Sequence, residues 1–150
     1  MRNLYEPAAA QEVKERIARL KPDSAGQWGA MNAAQAVAHC AASMEWVVGE
    51  RIPPRPGLAS VLGRIVKPRV LGDDAPIRRN SPTTKDLIVP DQRDLHEESA
   101  RLRALIDRFT AAGPAGCTTH PHTFFGRMTP NEWAILMYKH LDHHLRQFGV

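Results

Sequence analysis

Apolar positions recur at helical spacing in four stretches of the chain, and nowhere do they alternate as a half-buried strand requires. The first stretch runs from about Ala8 to Leu20, with Val13, Ile17 and Leu20 on one face and Pro7 just ahead of it. The second opens at Asn32, a capping residue with Gln35 three positions on, and continues to Gly49. Its only charge between Ala33 and Val48 is Glu45, so most of its faces should be buried. A third helix is predicted over about Asp91 to Ala112, on Leu95, Leu102, Ile106 and Phe109, and Gly113-Pro114 stops it. The fourth has the most complete start: Thr129 caps, Pro130 takes the first helical position, Glu132 closes a capping box, and Gly149 stands where the helix should end.

Between the second and third stretches the pattern changes. Glu50 to Pro90 holds seven of the twelve prolines, so it cannot form one continuous helix or a central strand. Within it Leu58, Val61, Leu62, Ile65 and Val66 predict a short extra helix before Pro68. The expected architecture is all-α: four main helices as a bundle, one long Pro-rich crossover containing that extra helix, and a single domain over residues 1–150.

On a wheel of about 100° per residue, the core stripe of the fourth helix is Trp133, Leu136, Met137, Leu141 and Phe148. His140 and His144 fall in the middle of that stripe, His143 at its edge, and Lys139, Asp142 and Arg146 on the opposite face. A single core histidine is usually hydrogen-bonded to a neighbouring helix. Two neutral imidazoles stacked one turn apart leave ring nitrogens that cost a few kcal/mol each if unpartnered, and a shared cation removes that cost. HxxxH on a helix is therefore half of a metal site. The third ligand should come from the second helix, where His39 is the only histidine among small apolar residues. Gln35, one turn earlier, is the expected hydrogen-bond partner behind it. His120 and His122 form a loop pair with no regular geometry to favour chelation, and His96 reads as a surface residue. Cys40 reads as packing, and Cys117 sits in a Gly-Cys-Thr loop expected near the surface.

Charge narrows the field of partners. The net charge of +4 lies wholly between Glu50 and Pro90, where eight Lys or Arg face four acids, giving 8 − 4 = +4. A localised excess of this size argues for a lid or a homodimer contact in the crossover and against a nucleic-acid-binding domain. The short amphipathic helix lacks aromatics, so a membrane role is not expected either. The first residues lack the apolar core of a secretory signal and two cysteines make no disulfide framework, so the expected location is cytoplasmic.

These residues carry a resemblance. Trp28-Gly29-Ala30-Met31-Asn32 with Gln35 and His39 resembles the start of the second helix in the DinB/YfiT-like superfamily of metalloenzymes. The run Phe125 to Trp133, followed by Tyr138-Lys139-His140-Leu141-Asp142-His143-His144-Leu145-Arg146-Gln147-Phe148-Gly149, resembles the closing helix of its small branch of unknown function. The resemblance implies an up-down-down-up four-helix bundle with a divalent metal held by His39, His140 and His144. His122 matches a histidine of that branch, with Thr123 standing where the branch has proline. Relatives elsewhere in the superfamily include thiol-dependent S-transferases and isomerases. The function expected on both grounds is a metal-dependent enzyme, a thiol-dependent transferase or a hydrolase. It would act on a small molecule, with Zn²⁺ or Ni²⁺ held open for a fourth ligand and His143, His122 and Gln35 as candidates for proton transfer and positioning. The alternative is a non-catalytic bundle, stabilised by metal or serving as a binding module.

Overall fold

The computed structural model describes all of residues 1–150 and contains helices and no strand, with one isolated β-bridge between His122 and Gly126. Five helices form: α1 (Pro7–Ala18), α2 (Ala33–Val47), α3 (Ala59–Leu71), α4 (Leu95–Ala112) and α5 (Pro130–Gln147). Both expected capping boxes are present. The Asn32 side chain accepts from the Gln35 backbone N–H at 2.8 Å while Gln35 accepts from that of Asn32 at 3.1 Å. Thr129 and Glu132 make the same reciprocal pair at 3.2 and 2.7 Å. No helix is long and apolar enough to cross a membrane.

Two boundaries differ from the sequence reading. Helix α4 begins at Leu95 instead of near Asp91, because Asp94 caps it from Glu97 N while Asp91 pairs with Arg93 in the preceding loop. Helix α3 runs through Pro68 to Leu71 instead of stopping before it. Pro68 offers no N–H to the Arg64 carbonyl, but Arg64 lies on the exposed side of a surface helix, where water can take that bond.

Helices α1, α4, α2 and α5 pack in a closed ring in that order, with α2 against α4 the most extensive contact. The core inside the ring includes Val13, Ile17, Met44, Ile106, Trp133 and Leu141. Backbone and side-chain pairs register the helix ends. Leu4 N–H donates to Ala134 O at 3.2 Å and Arg16 pairs with Asp142 at 2.7 Å, while Glu45 bonds Arg101 and Glu50 bonds Arg108.

The far face of α5 is a correction. Lys139 and Asp142 were expected opposite the core stripe, facing away from the bundle, yet both are buried. Lys139 Nζ donates to the carbonyls of Val70 at 2.5 Å and Asp73 at 3.0 Å, and Asp142 accepts from Arg16 and Arg146, each at 2.7 Å. A wheel describes one helix alone; here α1 and the end of α3 cover that face and bring a partner for each charge. Cys117 is likewise buried, not near the surface.

The crossover meets the bundle through the small residues of α3. A Cβ on Gly63 would lie 1.9 Å from the Phe124 carbonyl oxygen, so that position admits only glycine while α3 stays seated. The opposite face of α3 is bare, with Leu58 94%, Val61 60%, Leu62 58% and Ile65 72% exposed. Gly63→Ala is expected to lower the urea unfolding midpoint by the equivalent of roughly 1–3 kcal/mol. An unchanged midpoint would mean that α3 does not rest on Phe124.

Candidate metal centre

Three imidazoles meet at one point between α2 and α5. His39 enters from α2, and His140 and His144 from successive turns of α5. One ring nitrogen from each lies within 4.8 Å of the others, and the ring centroids are 4.8, 4.8 and 4.9 Å apart. His39 Nε2 and His140 Nε2 are the nearest pair at 2.8 Å.

The other nitrogen of each ring is held from behind. His39 Nδ1 lies 2.8 Å from the Leu87 carbonyl, His140 Nδ1 3.1 Å from Ser43 Oγ, and His144 Nδ1 2.8 Å from Gln147 Oε1. Each partner restricts where the imidazole hydrogen can be. The Leu87 carbonyl can only accept, so His39 Nδ1 carries a hydrogen. Gln147 Nε2 donates to the Trp28 carbonyl at 2.6 Å, which turns its Oε1 toward His144 and makes His144 Nδ1 the donor. The Ser43 hydroxyl has its shorter contact, 2.7 Å, with the Cys40 carbonyl, so its oxygen accepts from His140 Nδ1. All three Nε2 atoms are then bare lone pairs pointed at one another.

Lone pairs 2.8 Å apart repel unless something positive lies between them. Turning the Ser43 hydrogen toward His140 would let a proton bridge His39 and His140, but His144 Nε2 would still face the cluster without a donor. A divalent ion serves all three. Nitrogens about 2.0–2.1 Å from one tetrahedral zinc stand about 3.3 Å apart. The 2.8 Å pair and the 4.8 Å bound on the set straddle that distance. Neutral imidazole is the form that binds metal, and the site enforces it. Burial lowers the pKa of all three rings; for His140, the neighbouring imidazoles His39 and His144 add to the effect. His144 is pushed down to about 3.

Access differs among the three rings. His39 is 2% exposed. His140 and His144 are half-buried and keep some solvent contact. On the inner side of His144, among Ile17, Ala36, Leu102 and Leu141, the core leaves an interstice of only about 10 Å³, room for no more than a water.

The other candidates sit around this centre in different ways. His143 is buried beside it, its ring centroid 5.0 Å from that of His144 and 5.6 Å from that of Trp28, with Nδ1 on the Ile77 carbonyl at 3.1 Å. It had been expected at the rim of the stripe; the segment after α3 folds over it. His122 builds a turn. Its Nδ1 accepts from the backbone N–H groups of Phe124 and Phe125 at 3.0 and 3.1 Å, inside a two-bond bridge to Gly126 and against Trp133. Burial pushes its pKa to about 4, and its Nε2–H makes no bond within the chain. Gln35 caps α2 and donates to the Asp91 carbonyl at 3.2 Å, so the partner behind His39 is Leu87 instead. Cys40 packs in the core, where burial raises its thiol pKa.

Residues 2–149 match the family described as Protein of unknown function (DUF1569). The chain belongs to that family. No curated protein and no solved structure matches it. The family description carries no reaction, so the chemistry of this member rests on its own side chains.

Ser43, Leu87 and Gln147 were missed in the sequence. Ser43 lies one turn after His39 and Gln147 three residues after His144, so helical spacing could have found both. Leu87 acts through its carbonyl, which leaves no mark on residue type.

The depressed imidazoles set a pH dependence. An unfolded histidine takes a proton near 6.5, whereas folded His144 does so near 3 and His122 near 4. Between those values the unfolded chain binds more protons, so stability falls as pH drops below about 6.5 and levels off above it. Metal-free protein should therefore unfold at clearly lower urea at pH 5 than at pH 7. Equal midpoints would show that these rings are not buried as neutral groups.

Proposed function

We propose that the chain is a metal-dependent enzyme in which His39, His140 and His144 hold one divalent ion, Zn²⁺ or Ni²⁺, through Nε2 and leave a fourth position open. The observation that carries this is the convergence of one ring nitrogen from each of three histidines, each ring being held through Nδ1 by a hydrogen-bond partner behind it. Three protein ligands with solvent contact on one side is the pattern of catalytic sites; structural sites are closed by a fourth ligand. An ion held there supplies Lewis acidity toward a thiol or a water.

The chain's own groups divide the remaining work. His143 is fixed by Ile77 through Nδ1, which leaves its Nε2 to take or return a proton next to the centre. His122 offers an Nε2–H donor from a turn that its own Nδ1 rigidifies. Gln35 fixes the start of α2 and the chain before α4, and so positions the helix that carries His39. The α1 to α5 and α2 to α4 contacts at matching ends support an up-down-down-up bundle of the DinB-like kind. The three-histidine set suits either a thiol-dependent transfer or a hydrolysis.

Adding a thiol or a hydroxamate to Co²⁺-loaded protein tests the open position. A new charge-transfer or shifted d–d band is expected. An unchanged spectrum on protein that retains its cobalt would make the site structural, as in a metal-stabilised bundle without catalysis.

A further inference from the structure

A cleft of about 510 Å³ opens beside the histidine cluster, between the segment after α3 and the end of α5. Its walls include Trp28, Ile77, Arg78, Arg79, His143 and Arg146, and no Asp or Glu side chain is among its lining residues. Its volume falls in the range that holds small-molecule ligands, about 300–1,000 Å³. The two loop guanidiniums are uncommitted. Arg79 stacks over the Trp28 ring at 4.3 Å, a contact that orients the group without using its N–H donors, and neither Arg78 nor Arg79 forms an ion pair with the chain. Arg146 gives Nε to Asp142 at 2.7 Å and keeps its terminal nitrogens. The cleft and the histidines share parts. His143 lies between them, and the Trp28 carbonyl is the group that turns Gln147 toward His144.

We propose that this cleft is a subsite for the anionic group, carboxylate or phosphate, of the substrate whose reacting atom reaches the three-histidine centre. The inference rests on the metal reading for its orientation, but anion binding itself needs only the arginines. Guanidinium forks match planar or tetrahedral oxyanions through paired N–H donors, and Arg79 is already ordered by its stack on Trp28. A substrate bound here would reach the centre past His143, which lines the cleft with its ring centroid 5.0 Å from that of His144.

Two titrations test it. Inorganic phosphate added to metal-free protein should bind saturably. The Arg78→Gln/Arg79→Gln double variant should weaken it about tenfold or more, from the loss of charge-assisted hydrogen bonds. The Arg19→Gln/Arg103→Gln variant, with the same change in net charge at exposed positions outside the cleft lining, should not. In Co²⁺-loaded protein, mercaptosuccinate should bind more tightly than 2-mercaptoethanol, and the Arg78/Arg79 variant should erase the difference while leaving 2-mercaptoethanol unchanged. Equal weakening of phosphate in both double variants, or equal affinity of the two thiols in the wild type, would overturn the subsite. If cobalt fails to bind, the proposed function falls, and the phosphate titration still decides the cleft.

Discussion

The His140→Ala/His144→Ala double variant is expected to purify without a stoichiometric divalent ion and to lose all dependence of its melting temperature on added Zn²⁺. In the wild type the same addition should stabilise strongly. An ion at about 1,000 times its Kd adds roughly 4 kcal/mol to a folded state that alone can bind it. For a domain of this size that is a rise of about 8–16 °C. Because the variant also removes two imidazoles from the bundle, its own stability is not the decisive quantity. The decisive comparison is the wild type with and without chelator. If chelation leaves the melting curve in place and the variant melts like the parent, the three histidines are a hydrogen-bonded cluster and nothing more.

The second large effect is expected at Gln147, which is 2% exposed and whose side chain bonds only His144 and the Trp28 carbonyl. Gln147→Leu removes the acceptor that keeps the hydrogen of His144 on Nδ1. Losing such an outer partner typically lowers metal affinity by about 10–100-fold. It also strands the Trp28 carbonyl, at a cost of about 1–3 kcal/mol. Gln147→Glu separates the two roles, since it keeps an acceptor for His144 but has no N–H for Trp28. The Glu variant should hold metal better than the Leu variant while both unfold earlier than the wild type. Competition titrations with a chromophoric chelator measure the first quantity and urea melts the second. A Leu variant that binds as tightly as the parent would remove Gln147 from the account. Gly29 belongs to the same arrangement: its φ is +77°, and a Cβ there would stand 2.6 Å from Gln147 Nε2. The Trp28-Gly29 pair thus shapes the three-histidine cluster from a loop before α2.

Much of this was legible because helices write their faces and ends into local sequence. The two capping boxes formed as read, since each needs only residues three positions apart. Helical spacing brought His140 and His144 onto one face of α5, and the scarcity of charge on α2 left His39 as the one imidazole able to meet them. What escaped was produced by elements distant in the chain. Lys139 and Asp142 are buried because Val70, Asp73 and Arg16 reach them from other helices and loops. Leu87 holds His39 from 48 positions away through a backbone atom. His122 and Gln35 turned inward to backbone groups of their own turns, a use that residue type alone does not distinguish from catalysis. Pro68 sits inside α3 because exposure makes the missing bond inexpensive, and exposure is a property of the packed molecule.

The proposed function makes a single claim about the imidazoles: their three Nε2 atoms share one ion and leave it a place for something else. X-ray absorption at the metal edge of zinc-loaded protein reads that directly. The expected result is three imidazole nitrogens at about 2.0–2.1 Å and a light oxygen or nitrogen ligand in the fourth position, replaced by sulfur at about 2.3 Å when a thiol is added. Fewer than three imidazoles, or a fourth ligand from the protein that no thiol displaces, would contradict it.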